Sequence, residues 1–314
     1  MTTQPAATPP PNARAYPLHT PRGTFAVVDS PAAPDVKLRG VALLLPGFTG
    51  SKEDFTLMHE PLAARGYRTI AVDGRGQHES DGPEHDEAPY AQAELAQDVL
   101  AQAAALRTLD GPEGPVAPDT PLHLLGHSLG GQIARAAVLL DHSPFRSLTL
   151  MASGPAQISD SQQQQRVKLL RDALAVMNMA ETWEAILAMG PPEEVGGPAR
   201  GIGGPDLLRR RWLGTKPAQL LATGRQLCTE PDRVDELAAV PLPFHVLSGA
   251  ADDTWPVPVL DDMAVRLHAR RTVIPGAEHS PNADQPLLTA EAIADFWDSV
   301  TGTDDSDGPR PTDA

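Results

Sequence analysis

Cysteine is almost missing from this 314-residue chain, in which Cys228 stands alone. A single thiol closes no internal disulfide and suits a reducing compartment, so the expected location is cytoplasmic. Basic side chains are scarce as well: 25 Lys and Arg against 41 Asp and Glu leave a formal charge of −16. That balance argues against nucleic acid, anionic membrane surfaces and polyanionic substrates as partners. No stretch approaches the ~20 apolar residues that a spanning helix needs. Residues 1–14, rich in Pro, Thr and Ala, lack the basic segment and apolar run of a secretion signal, and no internal repeat is visible. Residues 1–16 and 301–314 are rich in Pro, Thr, Asp and Gly and are expected to be disordered. The remainder is long enough to bury a sizeable core.

What the chain does have is LHLLGHSLGG at residues 122–131, an apolar strand that breaks at Gly126 and passes into a helix through Ser128. A serine lifted out of a strand-to-helix turn sits in a strained backbone conformation, which flanking glycines permit because side chains there would collide with the neighbouring strand or helix. The turn presents Ser128 Oγ to a substrate. It also aims the first N–H groups of the helix, beginning with Leu129, at the place where negative charge develops in acyl transfer. Residues 121–125 read as a strand buried on both faces, and residues 132–140 as a helix with small residues toward the sheet.

At this point the chain resembles the α/β-hydrolase superfamily, over about residues 24–299, through four segments in the right order. The likeness is strongest to capped serine esterases and monoacylglycerol-lipase-like hydrolases. It implies a mostly parallel central sheet flanked by helices, with a helical cap inserted after the sixth strand. In the family, the loop after the third strand provides a second oxyanion donor. Here that strand is residues 41–45, and the donor would be the backbone N–H of Phe48. Pro46 stands where the family usually has His, which leaves this donor intact but removes an imidazole that often braces the loop. Residues 69–83 resemble the next strand and its Asp-x-Arg-Gly-x-Gly-x-Ser loop. His78 replaces a glycine there, so the turn is not expected to need a positive φ. Glu79, Asp81, Glu84, His85, Asp86 and Glu87 lack the spacing of a compact ligand set and read as a solvated acidic loop, so no metal is expected.

An elbow serine needs a base, and the base an orienting acid. The family order is nucleophile, acid, histidine. After the strand at residues 244–249, the spacing in related sequences points to Asp252, with Asp253 as the adjacent alternative. After the strand at residues 271–276, the loop holding His279 matches the family's histidine loop. Among ten histidines, only His279 follows a terminal strand and glycine in the required order. His123 and His245 fall in strand interiors and read as core, His127 as packed beneath the turn, and His19, His59, His142 and His268 as exposed.

The core, expected over residues 17–156 and 226–300, needs only one helix between the strands at 147–152 and 244–249. Residues 157–225 are therefore expected to form the cap. Within them, residues 161–189 are helical in pattern, and residues 190–205 are a Gly- and Pro-dense loop. Met177 and Trp183 are candidates for an adaptable lining around an acyl or alkyl group. These residues imply a serine hydrolase that cleaves a carboxylic ester through an acyl-enzyme. It would act on a small apolar ester or acyl substrate without a cofactor. The same triad would also serve C–C bond, thioester or amide hydrolysis or acyl transfer, and a non-catalytic binding homologue is the reading from another class.

Overall fold

The structure, a computed structural model, describes residues 10–108, 113–189 and 204–302. Eight strands form one sheet in the order β1-β2-β4-β3-β5-β6-β7-β8. They are β1 (Arg14–Thr20), β2 (Gly23–Ser30), β3 (Gly40–Leu45), β4 (Tyr67–Val72), β5 (Leu122–His127), β6 (Ser147–Met151), β7 (Phe244–Gly249) and β8 (Arg270–Ile274). The β1–β2 and β2–β4 pairs are antiparallel and every other pair is parallel.

Every residue of β3 to β7 is buried, as near-continuous apolar strands must be when helices cover both faces. The two-residue alternation of β3 divides the core. Val41, Leu43 and Leu45 pack with α2 (Gln92–Thr108), α3 (Leu129–Leu140), α8 (Val234–Ala238) and α9 (Val257–Arg266), whereas Ala42 and Leu44 pack with α1 (Thr56–Ala64) and α11 (Pro286–Thr301). Between β6 and β7 lie α4 (Ser161–Leu174), α5 (Met179–Met189), α6 (Gly204–Gly214) and α7 (Pro217–Leu227). A short α10 (Pro281–Asp284) precedes α11.

Several expectations need correction. The first strand begins at Arg14, inside the segment read as disordered, because it pairs along β2 and Tyr16 Oη donates to Asp29 Oδ2 at 2.8 Å. Residues 1–9 and 303–314 lie outside the described residues, as does most of the expected loop; its last two residues, Gly204 and Pro205, open α6. The helical pattern of 161–189 is two helices. Asn178 starts the second one, with its Oδ1 accepting from Glu181 N–H and Glu181 Oε2 accepting from Asn178 N–H, both at 2.9 Å, a reciprocal capping box. His59 is fully buried rather than exposed, with Nδ1 2.7 Å from Thr69 Oγ1, and burial pushes its pKa down to about 4. His123 and His245 are buried in their strands as expected, and burial pushes both down to about 3.

Candidate active site

Ser128 joins β5 to α3 with φ 53° and ψ −119°, a region that non-glycine residues avoid unless their surroundings hold them there. Two glycines make that possible. A Cβ on Gly126 would overlap the Gly130 carbonyl, and one on Gly130 would overlap the carbonyls of Leu45 and Pro46. The Ser128 N–H donates to Met151 O at 2.9 Å, which ties the turn to β6. Leu129 is the first residue of α3, so its N–H is one of those that a helix leaves without an internal acceptor.

His279 follows β8, and its ring lies between the elbow and the β7 loop. Nε2 is 3.0 Å from Ser128 Oγ and Nδ1 is 3.0 Å from Asp252 Oδ1. The Asp252 side chain is 0% exposed, and Oδ1 also accepts from the N–H groups of Thr254 at 3.0 Å and Trp255 at 3.2 Å. Burial works against the His279 imidazolium, but the Asp252 charge and hydrogen bond outweigh it and raise the pKa above the ordinary histidine value. Asp253 turns the other way: Oδ2 accepts from Gln163 Nε2 of α4 at 2.7 Å.

Two partners of this histidine had no signal in the sequence beyond adjacency. His127 Nε2 is 2.9 Å from the His279 carbonyl. A carbonyl only accepts, so Nε2 carries the proton, and burial, with a smaller contribution from His279, keeps the ring neutral by pushing its pKa down to about 4. Trp255 is fully buried with its ring 6.1 Å from that of His279, and its Nε1 donates to Gln157 O at 3.1 Å.

Phe48 sits in a turn closed by Gly50 N–H donating to Gly47 O at 3.0 Å. Its side chain packs on a cluster of Leu174, Trp183, Ile186, Trp212 and Leu220 from the helices after β6. Trp183 is thus 6% exposed inside a helix cluster, 6.3 Å from the Trp212 ring. Met177 lines a cavity of about 630 Å³ with Glu84, Met179, Leu213 and Leu221, and that lining includes none of Ser128, His279, Phe48 and Leu129.

The loop after β4 departs from the sequence reading in two ways. His78 does adopt a positive φ, 40°, and its N–H is held by Thr215 Oγ1 at 3.1 Å. The acidic stretch is also partly engaged: Glu79 meets Lys52 at 2.7 Å and Glu87 meets Arg225 at 2.9 Å. Glu53, His78 and Glu79 bring ligand-type atoms within 4.8 Å of one another. The Lys52 ammonium, 2.8 Å from Glu53 and 2.7 Å from Glu79, already supplies the cation there. The helices after β6 are anchored on this side by a buried ion pair between Arg211 and Asp54 at 2.6 Å and by Lys216 N–H donating to Gly76 O at 2.8 Å.

A serine on a strand-to-helix turn, met by a histidine and an aspartate from the ends of later parallel strands, is the arrangement of an α/β-hydrolase. A family model described as the alpha/beta hydrolase family matches residues 42–292, and the chain belongs to that family and is a hydrolase. The chain is 30% identical over 189 residues to a pimeloyl-(acyl-carrier protein) methyl ester esterase of Aeromonas hydrophila, covering 55% of this chain and 69% of that one. It is 28% identical over 271 residues to the esterase of the same name from Edwardsiella ictaluri, covering 82% and 92%. Among solved structures, a thermophilic esterase from Thermogutta terrifontis superposes with a TM-score of 0.67 at 20% identity, covering 92% of this chain and 100% of that one, a likeness of fold.

Proposed function

We propose that this hydrolase cleaves a small carboxylic ester by serine acyl-enzyme chemistry. The observation that carries the reading is the unbroken chain Ser128 Oγ, His279 and Asp252, with both contacts at 3.0 Å. In the first half-reaction His279 Nε2 takes the Ser128 proton as Oγ bonds to the ester carbonyl carbon. The oxyanion is met by the N–H groups of Phe48 and Leu129. Collapse of the tetrahedral intermediate breaks the C–O bond, and His279 returns its proton to the departing alcohol. Water then repeats the sequence on the acyl-enzyme and releases the acid. Asp252 holds Nδ1–H and stabilises the imidazolium formed in each half.

Residues 157–225 act as a cap in this reading, with Phe48 as the contact between the oxyanion loop and the helix cluster of Trp183. The esterases among the relatives support an ester substrate. A panel of p-nitrophenyl esters of graded chain length tests the proposal: turnover of at least one member, abolished in Ser128→Ala, is expected, and no turnover of any member by folded protein contradicts it.

A further inference from the structure

The peptide unit between Gly47 and Phe48 carries both the Gly47 carbonyl and the Phe48 N–H. In a planar trans peptide these groups point in opposite directions, so whatever fixes Gly47 O also fixes the aim of Phe48 N–H. This peptide lies against the elbow: a Cβ built on Gly47 would be 3.2 Å from Ser128 Cβ.

Among the described residues, two donors reach Gly47 O. One is the Gly50 N–H at 3.0 Å, within the turn itself. That turn is a weak support alone, because Thr49 holds φ 58°, where a β-branched side chain is strained. Pro46, immediately before, has no N–H and no polar side-chain atom to add. The second donor comes from another loop: Gln77 Nε2, at 3.0 Å.

Gln77 is only 5% exposed, and its carboxamide is held at both ends. Oε1 accepts from Gly74 N–H at 2.9 Å while Nε2 donates to Gly47 O. Turning the amide over would set donor against donor and acceptor against acceptor, so a single orientation satisfies both neighbours. The Gln77 N–H donates to Gly74 O at 3.0 Å, which fixes the residue's own backbone.

We propose that Gln77 is a positioning residue for the reaction: by donating to the Gly47 carbonyl it aims the Phe48 N–H at the developing oxyanion. The inference rests on the reading of Phe48 as an oxyanion donor. Loss of one such donor costs ~10²–10³ in kcat, and a donor left in place but mis-aimed should cost less, about 10- to 100-fold.

The test is Gln77→Glu, which keeps its shape and its acceptor for Gly74 but, ionised, opposes an oxygen to Gly47 O. Gln77→Met is made alongside, so that a buried carboxylate is not the only probe. For each, kcat, KM, Tm and the inhibition constant of a trifluoromethyl ketone, which forms a hemiketal oxyanion on Ser128, are measured. The expected result in Gln77→Met, and in Gln77→Glu where it folds, is a 10- to 100-fold lower kcat, KM within about threefold, and ketone affinity weakened in step with kcat. A kcat and a ketone affinity both within threefold of wild type in Gln77→Met overturn the proposal, whatever happens to Tm. With Ser128→Ala inactive, that result removes only the role of Gln77; an active Ser128→Ala removes the underlying reading.

Discussion

Replacing Asp252 by Asn separates the charge of the acid from its hydrogen bond. One oxygen, Oδ1, accepts from His279 Nδ1 and from the N–H groups of Thr254 and Trp255, whereas the buried Oδ2 has no protein partner among the described residues. An asparagine satisfies the two backbone donors only with its carbonyl at the Oδ1 position, so that carbonyl also faces Nδ1 and preserves the tautomer. The variant then loses the charge alone. In a serine protease whose substituted acid selects the wrong tautomer, kcat falls by ~10⁴. Here the loss should stop near 10²–10³, the scale of exchanging a charge-assisted hydrogen bond for a neutral one while an imidazolium forms. The His279 pKa should move too. With Asp252 neutralised, burial is opposed only by the smaller contributions of the Asp253 and Asp284 charges, and the acid limb of kcat/KM should shift to lower pH than in wild type. Steady-state kinetics across pH 5 to 9 read both effects. A loss under tenfold, or a limb that stays in place, would refute this account of Asp252; a greater loss in Asp253→Asn would move the acid next door.

In the wild-type enzyme, kcat/KM should rise with pH through an apparent pKa above the ordinary imidazole value of ~6.5, because the protonated His279 favoured by Asp252 cannot accept the Ser128 proton. A profile flat across that range, with chemistry rate-limiting, argues against a histidine base. Arg211→Met leaves the Asp54 carboxylate buried without its 2.6 Å partner and should cost about 3–5 kcal/mol of stability; an unchanged urea midpoint would show that the pair does not anchor α6. Trp183→Ala opens the helix cluster against Phe48 and should cost a similar ~3–5 kcal/mol while leaving ester chain-length preference unaltered; a changed preference at unchanged stability would return Trp183 to the substrate pocket.

The parts legible in the sequence are those whose causes are local. The elbow's glycines, the apolar strands β3 to β7 and the glycine before His279 each show their reason within a few neighbouring residues. Position 252 against 253 was open because adjacent loop residues face opposite ways, and only the packing of β7 beside β8 decides which reaches His279. Gln77 and His127 escaped for a related reason: their partners lie 30 and 152 residues away. The edge strand β1 was hidden by its composition, since it gains its order from pairing with β2 rather than from an apolar run. His78 showed that a glycine's usual place can be taken by a residue held from outside, here by Thr215.

The most direct measurement is reaction with a fluorophosphonate followed by mass mapping of the modified peptide. The account predicts a single adduct on Ser128, absent from Ser128→Ala, with loss of ester turnover in proportion to labelling. Stoichiometric labelling of a different residue, or full turnover by protein fully labelled at Ser128, would contradict it.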